Sequence, residues 1–231
     1  MRTRRRNSWV NRRHSQRQHC ILSIALKDCQ TMFRILSVIV ALMLLAPTTQ
    51  AENATPDQTI GHFHEQLLEA MENAFAEDVT ERYDRLVPAV GAAYDFPFMV
   101  RIAVGSHWSQ TSAAQKQALT EAFGRMSTAT YAHHFNGYSG EKFETVETRD
   151  GPKGTRIVDT RIVSPDGGRT DIAYVMHHTN SGWRIANVIL EKGVSQLAVH
   201  RSEYAAVLKQ GGADALVKVL TDKADTLLIP Q

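Results

Sequence analysis

Thr170-Asp171-Ile172-Ala173-Tyr174-Val175-Met176-His177-His178, the turn Asn180-Ser181-Gly182, and Trp183-Arg184-Ile185-Ala186-Asn187-Val188-Ile189-Leu190 read as two strands of one antiparallel hairpin. Ile172, Tyr174 and Met176 alternate with Asp171 and Ala173, which gives the first strand a single apolar face. Working back along the chain, Arg156 to Val163 shows the same period of two: Val158, Thr160 and Ile162 alternate with Asp159 and Arg161. Phe143 to Thr148 adds a further strand, and Gly151-Pro152 and Ser164-Pro165-Asp166-Gly167-Gly168 supply the turns. Turns this short between four strands predict an antiparallel meander, one face of which must be covered.

The cover is expected from helices on both flanks. Thr55-Pro56 makes a helix start, and Ile60, Phe63, Leu67, Met71 and Phe75 recur at helical spacing to about Ala76. A helical region from about Thr80 is predicted to break at Pro88 and Gly91. Asp95 then caps a helix carrying Phe98, Met99, Ile102 and Ala103 and ending at Gly105, with Trp108 closing the corner. Thr111 or Ser112 caps the next helix, whose face holds Leu119, Ala122, Phe123 and Met126, with Tyr131 and Phe135 on the flank; its end is placed near Gly137. After the strands come two helices, one with Leu197, Tyr204, Val207 and Leu208 and one with Leu216, Val219 and Leu220, separated by Gly211-Gly212. Helices, then a meander, then helices describe an α+β fold rather than a parallel α/β sheet.

Upstream lies an uncharged apolar run from Ile35 to Ala46, preceded by Arg34 and followed by the small-residue stop Thr49-Gln50-Ala51. It is too short to cross a hydrocarbon core of about 30 Å as a helix, so it reads as a cleaved export signal with the working protein starting at Glu52. Residues 1–51 are therefore a leader. Met32 is the preferred initiator, since a signal over 32–51 has ordinary length, and the Arg-rich stretch before it is the longer alternative.

The leader also carries the basicity. Nine of the 26 Lys and Arg residues lie in residues 1–34, but only Asp28 of the 24 acidic ones does, so the chain from Glu52 has 17 positive and 23 negative groups and a net charge near −6. Phosphate backbones and anionic membrane surfaces would repel such a domain, which argues against nucleic-acid binding and against strong electrostatic docking on lipid. Cys20 and Cys29 both precede the cleavage site, leaving the mature part without a disulfide, a thiolate nucleophile or a cysteine metal site. Its 180 residues fit a single domain with a core of its own.

Catalytic and metal chemistry find little support. The pairs His133-His134, His177-His178 and His62/His64 have the wrong spacing for two ligands on one face, because strand neighbours diverge and helix positions two apart lie about 200° apart. Gly137-Tyr138-Ser139-Gly140 lacks the G-x-S-x-G pattern of a nucleophile elbow and follows a helix, so it reads as a turn. Asp159, Asp171 and Glu144 are the carboxylates that a proton-transfer enzyme would use, yet each alternates away from the apolar face.

Three stretches of residues 183–208 carry a family resemblance: Trp183-Arg184-Ile185-Ala186-Asn187-Val188, Gly193-Val194-Ser195, and Arg201-Ser202-Glu203-Tyr204 running on to Leu208. Together with Phe96 to Trp108, Phe123 to Tyr138 and Ile172-Ala173-Tyr174, they resemble the MlaC family of periplasmic lipid carriers, also called the toluene-tolerance auxiliary family, over most of Thr55 to Leu227. Two departures are visible. The family usually has aspartate where Asn187 stands, and Glu191-Lys192-Gly193 is one residue longer than its Glu-Gly. The stretch from Ser195 to Glu203 also resembles the branch associated with hopanoid gene clusters.

The resemblance implies an NTF2-like single domain over residues 52–231, with a curved four-stranded sheet packed by N- and C-terminal helices around an apolar pocket. It implies a periplasmic, monomeric shuttle with no catalytic residue, no metal and no cofactor other than its cargo. The cargo would be phospholipid, or else a hopanoid-type lipid, passed between an inner-membrane MCE/ABC-type complex and an outer-membrane acceptor. Its tails must be enclosed: at about 0.8 kcal/mol per methylene, two acyl chains totalling ~30 carbons represent tens of kcal/mol in water. The expected lining is Met99, Ile102, Phe123, Met126, Tyr131, Val158, Ile162, Ile172, Tyr174, Met176, Ile185, Leu197 and Tyr204, although periodicity alone equally identifies these as ordinary core. Trp183 is assigned to structural core. Two other readings are an enzyme on the same scaffold and a cargo-free adaptor of a transport complex.

Overall fold

Helix α1 (Pro56–Glu72) starts where the capping residues require: Thr55 Oγ1 accepts the Gln58 N–H, and the Gln58 side chain in turn accepts the Thr55 N–H. It stops short of the expected Ala76 because the chain turns at Asn73, whose side chain bonds the Glu69 carbonyl, leaving Phe75 exposed. The computed structural model describes residues 54–230, so the leader, the initiator at Met32 and both cysteines lie outside the described residues.

Helix α2 (Val79–Ala93) is capped by Asp78 and runs through Pro88 without interruption, which corrects the expected break. Pro88 is tolerated because it lies on an exposed side of the helix. The carbonyl it leaves without a partner is that of Asp84, also exposed, where water can satisfy it. Helix α3 (Phe96–Val104) has the predicted cap, Asp95 Oδ1 accepting the Phe98 N–H at 3.0 Å, and ends at Gly105, whose φ of 62° favours glycine. A 3₁₀ turn over Gly105–Gln110 carries Trp108 into helix α4 (Ala113–His134), which is capped by Ser112. Helix α4 ends three residues before Gly137.

The strands β1 (Lys142–Asp150), β2 (Arg156–Val163), β3 (Arg169–Thr179) and β4 (Gly182–Leu190) form the predicted antiparallel meander. A fifth strand, β5 (Val194–Ser195), pairs with the end of β4 and corrects the count of four. Two residues are too few to show a period. What fixes them is Asn187, whose side chain bonds Ser195 Oγ at 2.9 Å and accepts the Leu197 N–H at 3.1 Å. Register shifts between Thr145 and Glu147 and between Val175 and Met176 are sites where an extra residue bends a strand. The last helix, α5 (Gln196–Leu227), divides at Gly212 (φ 66°, ψ −160°), a backbone conformation open to glycine, so the expected break is present.

Helix α1 lies on the sheet, α2 packs on α1 and α4, and α5 packs on α3, α4 and the end of the sheet. The apolar alternation of the strands meets the helices here: Val158, Tyr174, Met176 and Ile185 are buried against Ile60, Phe63, Leu67, Phe123 and Met126. No helix among the described residues is long and apolar enough to cross a membrane.

Candidate functional site

Phe63 of α1 sits at the junction of two differently packed regions. On one side its ring meets Tyr94, Tyr131 and Tyr174 edge-on at 5.7, 5.4 and 6.5 Å between centroids, all near a right angle. These aromatic contacts are complementary in quadrupole as well as shape. Tyr94 and Tyr131 share a hydrogen bond between their hydroxyls, His64 Nε2 lies 3.1 Å from the Tyr174 hydroxyl, and the His64 ring stacks on Phe143 at 4.3 Å. Polar atoms in this cluster are therefore paired, and among the described residues no buried side-chain nitrogen or oxygen lacks a partner.

On its other side Phe63 floors an open cleft of about 420 Å³. Ala54 precedes α1, whose first turns contribute Gln58, Thr59, His62 and Gln66; the last turns of α2 contribute Pro88, Ala89, Ala92 and Ala93; the β3–β4 turn and the start of β4 contribute Ser181, Trp183 and Arg184. The walls are chiefly apolar, and the volume falls within the range of about 300–1,000 Å³ that suits small-molecule ligands. The cleft exists because the facing side chains of α2 are small. Alanines at 89, 92 and 93 cannot reach across to Trp183, whereas larger residues there would close the gap. Two other recesses, of about 210 and 450 Å³, lie near Arg82 and near Arg201 and have more polar walls.

The α2 wall is fixed at both ends. Arg82 is buried and donates through Nε to the Ala132 carbonyl at 2.7 Å, tying α2 to α4. At the other end Tyr94 bridges Ile185, the Asp95 N–H donates to the Ile185 carbonyl at 3.0 Å, and His177 Nε2 lies 2.9 Å from Asp95 Oδ2. Helix α1 is held to the sheet chiefly by apolar packing and by the His64–Tyr174 hydrogen bond.

Burial sets the electrostatics. It lowers the His64 pKa to about 4, raises that of Tyr131 to about 12, and pushes the Tyr94 and Tyr174 phenols well up. At neutral pH this cluster is uncharged and has no group poised to exchange a proton. Asp159 and Asp171 pair with Arg149 and Arg161, each at 2.6 Å, on the outer face of the sheet. Among the described residues no three His, Cys, Asp or Glu side chains group as a metal site. The paired histidines are engaged separately: His177 with Asp95, His178 edge-on with Trp183 at 5.2 Å, and His133 near the Leu227 carbonyl.

Ten of the thirteen residues predicted as lining are buried together: Met99 on α3, Phe123 and Met126 on α4, Val158 on β2, Ile172, Tyr174 and Met176 on β3, Ile185 on β4, and Leu197 and Tyr204 on α5. Ile102, Tyr131 and Ile162 pack on them, partly buried. None of the thirteen lines the cleft, but two of them, Tyr131 and Tyr174, meet Phe63 from behind its floor. Trp183, read from the sequence as core, is half-buried and lines the cleft. The cleft residues on α2 went unrecognised. Their signal was the alanines at 89, 92 and 93, too small to fill the space between a helix and a sheet.

Among solved structures, a phospholipid-binding protein from Ralstonia solanacearum, determined in complex with a phospholipid, has the same fold: the TM-score is 0.66 at 18% identity, covering 75% of this chain and 99% of that one. Comparison with curated proteins finds no match. The MlaC protein family model matches residues 62–222, which takes in α1 from its second turn, the whole sheet and most of α5. The chain belongs to the MlaC family.

Proposed function

We propose that this protein is a periplasmic lipid carrier: a single domain over residues 52–231 that takes a phospholipid from one membrane complex and delivers it to another. The observation that carries this reading is the cleft itself, an apolar recess in an MlaC-family fold whose floor, Phe63, is also part of the central core. Displacing that shared floor would connect the opening to the apolar interior.

Volume decides how the cleft works. If a methylene occupies roughly the 30 Å³ that a water molecule takes in the liquid, 420 Å³ admits about 14 of them, or one acyl chain. Two chains of ~30 carbons in all would need roughly double that space. The carrier must therefore widen, and α1 is the element able to move, since α2 is pinned at Arg82 and at Tyr94-Asp95. Tilting the start of α1 away from β4 would draw Phe63 off the tyrosines and open the cleft onto Tyr131, Tyr174 and Met176, and through them onto the rest of the thirteen-residue lining. In this reading those residues are core when the protein is empty and wall when it is loaded.

An acid–base enzyme is the weaker reading, because none of the candidate carboxylates lines the cleft: Asp159 and Asp171 are paired with arginines, and Glu144 is exposed on β1. The partners that fit a carrier are an inner-membrane transporter of the MCE/ABC type and an outer-membrane acceptor. The test is to extract the purified protein with chloroform and methanol and analyse the lipids by mass spectrometry. Stoichiometric phospholipid is expected. A hopanoid in its place would move the protein to the hopanoid-associated branch, and no stoichiometric lipid would overturn the carrier reading.

A further inference from the structure

We propose that Arg184 makes this cleft selective for lipids whose head group is a phosphodiester anion. The inference rests on the carrier reading and adds to it the chemistry by which the cargo is chosen.

The cleft is anomalous in charge. From Glu52 onward acidic residues outnumber basic ones, yet no aspartate or glutamate lines the cleft, and Arg184 does. On the same sheet Arg149 reaches Asp159, Arg156 reaches Asp150 and Arg161 reaches Asp171. Arg184 differs from all three: among the described residues no carboxylate lies within 4 Å of it, although it is half-buried beside apolar walls. A guanidinium at the border of an apolar cleft, without a carboxylate partner, is a site that an anion would complete. Its planar fork matches two oxygens of a phosphodiester better than a hydroxyl or a sterol-like ring.

Its position suits that role. The cleft runs over the end of the sheet at the β3–β4 turn, so Trp183 and Arg184 both border it despite being neighbours on a strand. Phe63, Ala92 and Ala93 supply a surface for hydrocarbon, and Gln66 and His62 continue the polar rim. A lipid lying along the alanines would place its head at Arg184 while its tail points toward the Phe63 floor.

The test loads delipidated protein from dispersions of dioleoyl phosphatidylglycerol or of dioleoylglycerol, which differ only in the phosphodiester head, and measures bound lipid after gel filtration. Wild type is expected to take the phospholipid about tenfold better, the size expected of a charge-assisted bidentate contact. Arg184→Gln should reduce phospholipid loading to the level of the diacylglycerol and leave the latter unchanged, and Arg184→Lys should retain part of the preference. Inorganic phosphate should not compete, since the tails supply most of the binding. Competition by phosphate alone would make this a free-anion site and overturn the proposal, as would equal loss of both lipids in Arg184→Gln. Loading of both lipids without preference removes this inference alone, whereas loading of neither removes the carrier reading with it.

Discussion

The two sides of Phe63 have been packed to different ends. Toward β3 and α4 the space is packed with rings: three tyrosines meet Phe63 edge-on, Phe143 stacks on His64, the Tyr94 and Tyr131 hydroxyls pair with each other, and that of Tyr174 pairs with His64. Toward α2 the facing residues are Pro88 and three alanines, and an open cleft remains between them and Trp183 and Arg184 at the start of β4. Both regions lie along one helix and have the same sheet behind them. The contrast shows that the cleft is not a failure of packing in a weakly cored protein, since a well-filled core lies one side chain away. Stability resides in the ring-filled half, which leaves the alanine half free to change its contents.

Removing the shared element should break this arrangement most severely. Phe63→Ala takes a 2%-exposed ring out of contact with three tyrosines and merges cleft with core, so a loss of about 3–5 kcal/mol in unfolding free energy is expected in urea titration. A loss below about 1 kcal/mol would mean that the two halves are not mechanically distinct. The next effect is a pH dependence confined to the ring-filled half. His64 has a pKa near 4 in the folded protein against 6.5 for an exposed imidazole, so between those values the unfolded chain binds a proton that the folded one does not. Stability is therefore full above pH 6.5, falls by about 1.4 kcal/mol per unit as the pH drops toward 4, and levels off below that, a total of about 3 kcal/mol. Denaturation midpoints between pH 4 and 7 measure the slope. His64→Gln, which keeps a polar partner for Tyr174 but cannot titrate, should remove this contribution to it.

That same division explains what could be read in advance. Period-two alternation around Tyr174 and helical spacing around Phe123 report burial, and burial is what selects both strands and core, so the meander and the central cluster were visible. Pro88 misled because a proline's cost depends on whether the carbonyl it frees can reach water, which is a tertiary property. Strand β5 was invisible because a side chain, Asn187, holds it in place. The cleft was hardest of all: it is made by residues too small to fill a space, and Ala89 and Ala92 resemble ordinary helix formers until the distance to Trp183 is known. Arg184 gave no sign either, since an arginine's lack of a carboxylate partner emerges only when the chain is folded.

The smallest effect on stability is expected where the cleft is filled from its own wall. Ala92 is exposed on α2 and borders the cleft, so Ala92→Trp puts an indole into open space without displacing a buried neighbour. Unfolding free energy should then change by no more than about 0.5 kcal/mol, the ordinary range for a surface substitution. Bound lipid, measured by extraction from the same preparation, should fall sharply, because the indole occupies the volume that a chain would use. The pairing of those two readouts is what separates the halves of the molecule: a core position cannot lose ligand without losing stability, but a wall that exists to be covered by cargo can. If Ala92→Trp destabilises the fold by as much as Phe63→Ala, the alanine face is structural and the cleft has no independent role. If it leaves both stability and lipid content untouched, the cargo lies elsewhere in the fold.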